Sequence, residues 1–173
     1  MPEEPGRVVG IGIGIEPVDP GSARAQACLE RYFAELGERF EGGFSQDIGC
    51  AVSLEEMRPP RGLFLVASAR ETTAGCGALV IRVPGVAELK RMWVSPAFRG
   101  EGLGRRLLEE LESRAVSLGC QRARLDTNKS LTEAIALYRS AGYLETVPFN
   151  HDTYVDYWFD KPLQGERRRS APR

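Results

Sequence analysis

Apolar and polar positions alternate along this chain with two different periods, and the switches between them mark out its elements. From Val8 to Pro17, the residues Val9, Ile11, Ile13 and Ile15 take every second place, which predicts a half-buried strand. Gly10, Gly12 and Gly14 fall inside that alternation with no helix after them. They read as small residues on the outer face of an edge strand, not as a dinucleotide loop. After Pro20-Gly21-Ser22 the period lengthens. Ala25, Cys28, Leu29, Tyr32, Phe33 and Leu36 are spaced for one apolar helix face. Phe40 to Gly49 reads as a loop, and a short helix is expected to end before Pro59-Pro60. Gly62 to Ala69, Gly75 to Val83 and Val86 to Val94 then predict three strands with short connections, an antiparallel meander.

Beyond Gly104 the helical period returns in Leu107, Leu108, Leu111, Ala115 and Leu118, with Gly119 as the stop. Arg122 to Thr127 is another short strand. Ser130-Leu131-Thr132-Glu133 has the spacing of a capping box, so a helix is expected to open there and run to Gly142. Tyr143 to Phe149 and Asp152 to Phe159 would supply a closing pair of strands. The sum is a mixed α+β sheet with helices on its faces.

Length and composition narrow the classes. A chain of 173 residues, 42% hydrophobic and 27% charged, fits one domain with a real core, taken as residues 1–164. The net charge of -1 gives no overall pull toward nucleic acid or an anionic membrane, and no apolar run approaches a bilayer span. Residues 165–173 carry four Arg against one Glu and are expected to be a basic, disordered tail. Cys28, Cys50, Cys76 and Cys120 lie far apart without a CxxC pair, so no metal site is expected. They read as reduced, buried residues of a cytoplasmic protein.

The stretch Arg99-Gly100-Glu101-Gly102-Leu103-Gly104 lies between a strand and a helix. A helix N-terminus presents unpaired N–H groups and a partial positive charge, and glycines let successive amides converge on one diphosphate. Arg105 and Arg106 follow as further cations. On these grounds alone a phosphate site and a plain turn are equally good readings. A P-loop is excluded, because no Gly-Lys-Ser/Thr follows.

With Met92-Trp93-Val94 before it, this loop resembles the R/Q-x-x-G-x-G/A signature of the GNAT superfamily of acetyl-CoA-dependent N-acyltransferases, here Arg99, Gly102 and Gly104. Ala134, Leu137, Tyr138, Gly142 and Tyr143 resemble the second signature, A-x-x-L-Y-x-x-x-G-F/Y. The resemblance covers about residues 8 to 160. It implies a central, mostly antiparallel sheet of six to seven strands, about four flanking helices, and fourth and fifth strands that splay apart. It further implies that acetyl-CoA is the co-substrate. Backbone atoms of Met92, Trp93 and Val94 would pair with the pantetheine arm, and amides of Gly100, Glu101, Gly102, Leu103, Gly104 and Arg105 would hold the pyrophosphate.

Direct attack of an amine on the thioester needs a base and gains from an acid at the leaving thiolate. The resemblance assigns the acid to Tyr138, whose alternative is a core residue beside Ala134, Ile135 and Ala141. Glu88 is the candidate base. Simple alternation puts it on the face of Met92 and Val94, about 13 Å along the strand from Met92. Its alternative is an ion pair with Lys90 or Arg91. Lys90 could bind a substrate carboxylate, and His151 reads as a surface residue. Where the family carries an Asn, this chain has Leu131, and Asn128 is the substitute cofactor contact. Trp93, Tyr154, Tyr157 and Trp158 are either acceptor-pocket or core aromatics.

The expected activity is therefore acetyl transfer from acetyl-CoA to a primary amine, of a small molecule or a peptide. The other class in view is a non-catalytic acyl-CoA sensor. Neither nucleic acid nor membrane is an expected partner, and a homodimer is left open.

Overall fold

The computed structural model describes residues 12–48 and 52–164. Its strands are β1 (Ile13–Val18), β2 (Gly62–Ala69), β3 (Thr72–Val83), β4 (Val86–Val94), β5 (Arg122–Thr127), β6 (Leu144–Glu145) and β7 (Tyr157–Pro162). The helices are α1 (Ala23–Arg39), α2 (Leu103–Ser117) and α3 (Thr132–Ser140), with single 3-10 turns at Glu55–Met57 and Pro96–Phe98. One sheet takes all seven strands in the order β1-β2-β3-β4-β5-β7-β6. Every neighbouring pair is antiparallel except β4 and β5.

β2 and the middle of β3 are apolar on both sides because both faces of the sheet are covered there. α1 lays Ala25, Cys28 and Leu29 against Phe64, Val66, Cys76, Ala78, Val80 and Trp93. On the opposite face, α2 presses Leu103, Leu107, Leu108, Leu111 and Ala115 onto Leu63, Leu65, Ala67, Leu79 and Leu89. Alternating side chains of β2 thus feed two different cores, so the strand reads as a continuous apolar run. Close approach of α2 is allowed by Gly75 and Gly77. A Cβ on Gly75 would stand 3.2 Å from Leu107 of α2 and 2.6 Å from the Trp93 carbonyl of β4, while one on Gly77 would stand 2.9 Å from Leu111.

Two features of β4 position the site. Its pairing with β5 lasts only from Val86↔Arg122 to Glu88↔Arg124, after which the strands part. The β3–β4 register also slips between Cys76↔Trp93 and Ala78↔Lys90, a bulge whose extra residue is Arg91 at φ 57°. The Arg91 carbonyl accepts from the Cys76 thiol at 3.3 Å.

The bulge overturns the strict alternation expected for β4. Glu88 and Lys90 pair with Val80 and Ala78 and share the α1 face, whereas Met92 and Val94 pack on the α2 core. Glu88 is therefore on the opposite face from Met92 and Val94. Three α-helices stand among the described residues in place of about four, since the short helix before Pro59 is a single 3-10 turn. The capping box does not form. α3 starts at Thr132 with no side-chain cap, because the Ser130 amide donates to Asn128 and Glu133 pairs with Arg39. The closing strands are shorter and later than expected, since Asn150 and Asp152 fold the intervening segment through their own side chains. Residues 8–11 of the first strand, Cys50 and the Arg-rich tail lie outside the described residues. Cys28, Cys76 and Cys120 are free and buried.

Candidate active site

The parting of β4 from β5 opens two cavities that meet. The larger, about 500 Å³, runs along the end of β4 and the N-terminus of α2. It is walled by Met92, Val94, Leu103, Gly104, Leu137 and Tyr138. Past Val86–Glu88, that edge of β4 has no strand partner, so backbone groups of Leu89 to Val94 face the opening. A chain with amide groups of its own can pair there as an added strand would.

At the far end of this cavity stands the glycine loop. Gly100 and Gly102 are left-handed at φ 83° and 81°, conformations that cost an L-side chain but suit glycine. Gly102 is the N-cap of α2 and offers no capping side chain. The amides of Leu103, Gly104 and Arg105 thus have no partner inside the helix, the first intrahelical bond being Arg106 N–H to the Gly102 carbonyl at 3.1 Å. With the helix dipole behind them they are able to take an anion. A Cβ at Gly104 would come within 3.3 Å of Leu137 and 3.7 Å of Val94, so the glycine keeps this corner open.

The cations around the loop have divided duties. Arg99 does not project toward the amides. Its guanidinium donates to both Glu35 oxygens at 2.6 and 2.8 Å, and its Nε donates to the Val94 carbonyl at 2.9 Å, bracing the loop against α1 and β4. Glu35 also accepts from Trp93 Nε1 at 3.0 Å. Arg105 donates to Ser140 Oγ at 2.5 Å and has no carboxylate partner among the described residues. Arg106, expected as a loop cation, instead reaches the Ile13 carbonyl of β1 at 2.8 Å. Glu101 is exposed and does not line the cavity.

The second cavity, about 100 Å³, lies on the α1 side of the gap between Lys90, Arg91, Asp126, Asn128 and Tyr154. Tyr138 lines both cavities. Its ring is fixed by Tyr143 at 6.1 Å and Phe159 at 6.4 Å, and its hydroxyl bonds to no described residue. Burial raises its pKa, and the nearby Tyr32 and Asp126 push in the same direction, so the phenol stays protonated. Tyr32, also at the junction, is pushed up to about 12 by burial against the opposing influence of Arg91.

Glu88 lines neither cavity. It sits where β4 and β5 still pair, its side chain 4% exposed, and accepts from Arg124 and Arg82. The expected pair with Lys90 or Arg91 is absent. Lys90 binds Asp126 at 3.0 Å, and Asn150 donates to the same carboxylate at 2.5 Å. Asp126 thus lines the gap, as Asp152 does. Sequence reasoning missed Asp126 because only the splay, not the β5 alternation, exposes it. Asn128 is in the second cavity, where it donates to the Tyr154 carbonyl and accepts from the Ser130 amide at 2.8 Å. Tyr154 lines that cavity too. Trp158 bonds to Asn150, Tyr157 packs beside Phe159, and His151 is exposed.

A family model described as "Acetyltransferase (GNAT) family" matches residues 23–143. An IAA acetyltransferase of Azospirillum brasilense is 36% identical over 138 residues, 78% of this chain and 86% of that protein. An acetyltransferase of the GNAT family from Staphylococcus aureus superposes with a TM-score of 0.76 at 18% identity, over 88% of this chain and 100% of the other. The PaiA N-acetyltransferase of Thermoplasma acidophilum, solved in complex with coenzyme A, superposes at 0.66 with 20% identity, over 88% and 99%. These two structural likenesses concern the fold alone.

Proposed function

Since the chain belongs to the GNAT acetyltransferase family, and is an acyltransferase with acetyl-CoA as co-substrate, we propose that it acetylates a primary amine with Tyr138 as the proton donor. The observation that carries this reading is the place of Tyr138, which with Tyr32 lines both the cavity fitted to acetyl-CoA and the cavity left for the acceptor, and whose hydroxyl bonds to no described residue. The fit to acetyl-CoA is supported by the apolar channel beside unpaired β4 backbone and by the uncapped amides at its end. In this reading the amides of Gly102 to Arg105 take the pyrophosphate with the Arg105 charge beside them. Met92 and Val94 pair with the pantetheine arm. Arg99 acts by holding the loop.

The amine nitrogen attacks the thioester carbonyl carbon, the C–N bond forms, and the C–S bond breaks. The thiolate takes the Tyr138 proton, and the proton shed by the nitrogen restores the phenol through water. Burial keeps Tyr138 in the donating form, and the same apolar wall raises the proton affinity of a thiolate released against it. Asp126 is paired with Lys90 through Oδ2, and its Oδ1 accepts a hydrogen bond from the incoming ammonium, whose first proton leaves through water. The three buried free thiols suit a reducing compartment, and we place the enzyme in the cytoplasm.

Tyr138→Phe tests the assignment. We expect kcat to fall about 100-fold, the usual worth of one positioned acid, with acetyl-CoA affinity within about twofold of native. Unchanged turnover would remove Tyr138 from the mechanism.

A further inference from the structure

We propose that the acceptor is a small amine that also carries a carboxylate, and that Arg91 is the residue that binds this carboxylate. The assignment rests on the acetyl-transfer reading of the same site and adds the acceptor's chemical class.

Arg91 is held where an arginine is costly to hold. It is the extra residue of the β4 bulge and adopts φ 57°, a left-handed backbone unfavourable for any L-side chain by about 1 kcal/mol. Its side chain forms the wall between the acceptor cavity, which it lines with Tyr32, Lys90, Asp126 and Tyr154, and a neighbouring cavity of about 350 Å³ lined by Gln26, Glu30 and Phe33. There the guanidinium carbon lies 4.9 Å from the Phe33 ring centroid. Stacking on a ring occupies the face of a guanidinium, and of the five N–H groups on its edge those not turned to the Tyr32 hydroxyl remain for a planar anion.

The other charges nearby are already matched. Lys90 and Asp126 form a pair at 3.0 Å, with side chains 8% and 11% exposed, and Asn150 supplies Asp126 with a further donor. Asp152 accepts from the Tyr154 amide at 2.9 Å. No carboxylate of the described residues pairs with Arg91, whereas Arg24, Arg58, Arg99, Arg122 and Arg124 each have one. Lys90, the cation expected from the sequence to meet a substrate carboxylate, is consumed by its own pair. The unmatched positive charge of the cavity is Arg91.

The remaining wall is aromatic. Phe44 lies 4.9 Å from Tyr154, and Phe40 stands 5.7 Å from both rings. The cavity therefore offers an attack point beside Tyr138 and Asp126, a guanidinium on the bulge with no carboxylate partner among the described residues, and an apolar wall. An amino-acid-like ligand matches all three. Its amine faces the thioester, its carboxylate forms charge-assisted bonds to Arg91, and its apolar part rests on the rings. At about 100 Å³ the cavity takes the carboxylate end and part of the apolar body, and the amine end reaches the junction with the larger cavity at Tyr138.

The test uses the full chain, acetyl-CoA and matched acceptors: L-leucine against L-leucinamide and 3-methylbutylamine, and L-phenylalanine against its amide. CoA release is expressed per unprotonated amine. The expected result is a preference for the acids of about 10- to 100-fold in kcat/KM, carried by KM, because the amides leave a part-buried guanidinium unpaired. In Arg91→Gln, shown to be folded by its binding of acetyl-CoA, that preference collapses toward unity, and Arg91→Lys restores part of it. Equal use of acids and amides by the native enzyme, or an undiminished preference in Arg91→Gln, would overturn the assignment while leaving amine acetylation intact. Binding of acetyl-CoA with no release on any amine would instead overturn the transfer reading, and this assignment with it.

Discussion

Replacing Glu88 with Gln separates the two roles open to this carboxylate, base or structural anchor. Its Oε1 accepts from Arg124 Nε at 3.1 Å and from the same guanidinium's Nη2, while Oε2 lies 3.5 Å from Arg82. Glu88 is 4% exposed, but Arg124 and Arg82 are 21% and 31% exposed. Removing one partner of a fully buried pair costs about 3–5 kcal/mol. Two features reduce that figure here. The arginines can recover water, and Gln retains an acceptor oxygen for Arg124. What is lost is the charge in a charged hydrogen bond, about 2 kcal/mol. For a chain of this length each kcal/mol moves the midpoint by about 2–4 °C, so thermal unfolding should shift down by roughly 4–8 °C. Turnover measured well below that midpoint should stay within about twofold of native, with an unaltered acid limb of the pH–rate profile. A fully folded variant that loses about 100-fold in kcat together with that limb would show that Glu88 is the base, and would refute the anchoring role.

Two further outcomes follow from the same geometry. Gly102→Ala and Gly119→Ala each place alanine at a left-handed φ, +81° and +85°, with nothing within 4 Å to clash. Gly119→Ala should lose about 1 kcal/mol of stability and leave acetyl-CoA binding unchanged. In Gly102→Ala the free loop relaxes and must regain that strain on binding, so acetyl-CoA should weaken by about fivefold in titration calorimetry with little loss of stability. Equal affinity losses in the two variants would contradict the anion role of the loop. Glu56 is held at a pKa of about 2, chiefly by its hydrogen bond from Arg82. A folded-state pKa below the unfolded 4.5 adds stability above that value and loses it as pH falls toward 2. Glu56→Gln should cost about 1 kcal/mol at neutral pH, after screening of this part-exposed pair, and should flatten the acid limb of stability between those values. An unaltered acid limb would remove this pair from the acid response.

The elements that could be read from the sequence are those whose signal is local. β2 and β4 start and stop as their glycines and alternation predict, and α2 fits its leucine spacing. What escaped the pattern depends on distant partners. A left-handed Arg91 has no local signature, yet that one extra residue carries Glu88 and Lys90 away from Met92 and Val94. The capping box failed because Glu133 has a stronger use in Arg39 at 2.7 Å. Asp126 became a site carboxylate only because β5 leaves β4 just before it. The two signatures fall on the larger cavity, where we propose that acetyl-CoA binds. The smaller cavity is assembled from α1, the bulge and the segment after Asn150, which no single stretch of sequence describes.

A structure of the protein with bound acetyl-CoA tests the central claim most directly. The account predicts pyrophosphate oxygens within hydrogen-bond distance of the amides of Leu103, Gly104 and Arg105. It also predicts the pantetheine arm paired along β4 at Met92 and Val94, and the thioester sulfur beside the Tyr138 hydroxyl. A diphosphate seated away from α2, or a thioester out of reach of Tyr138, would contradict it.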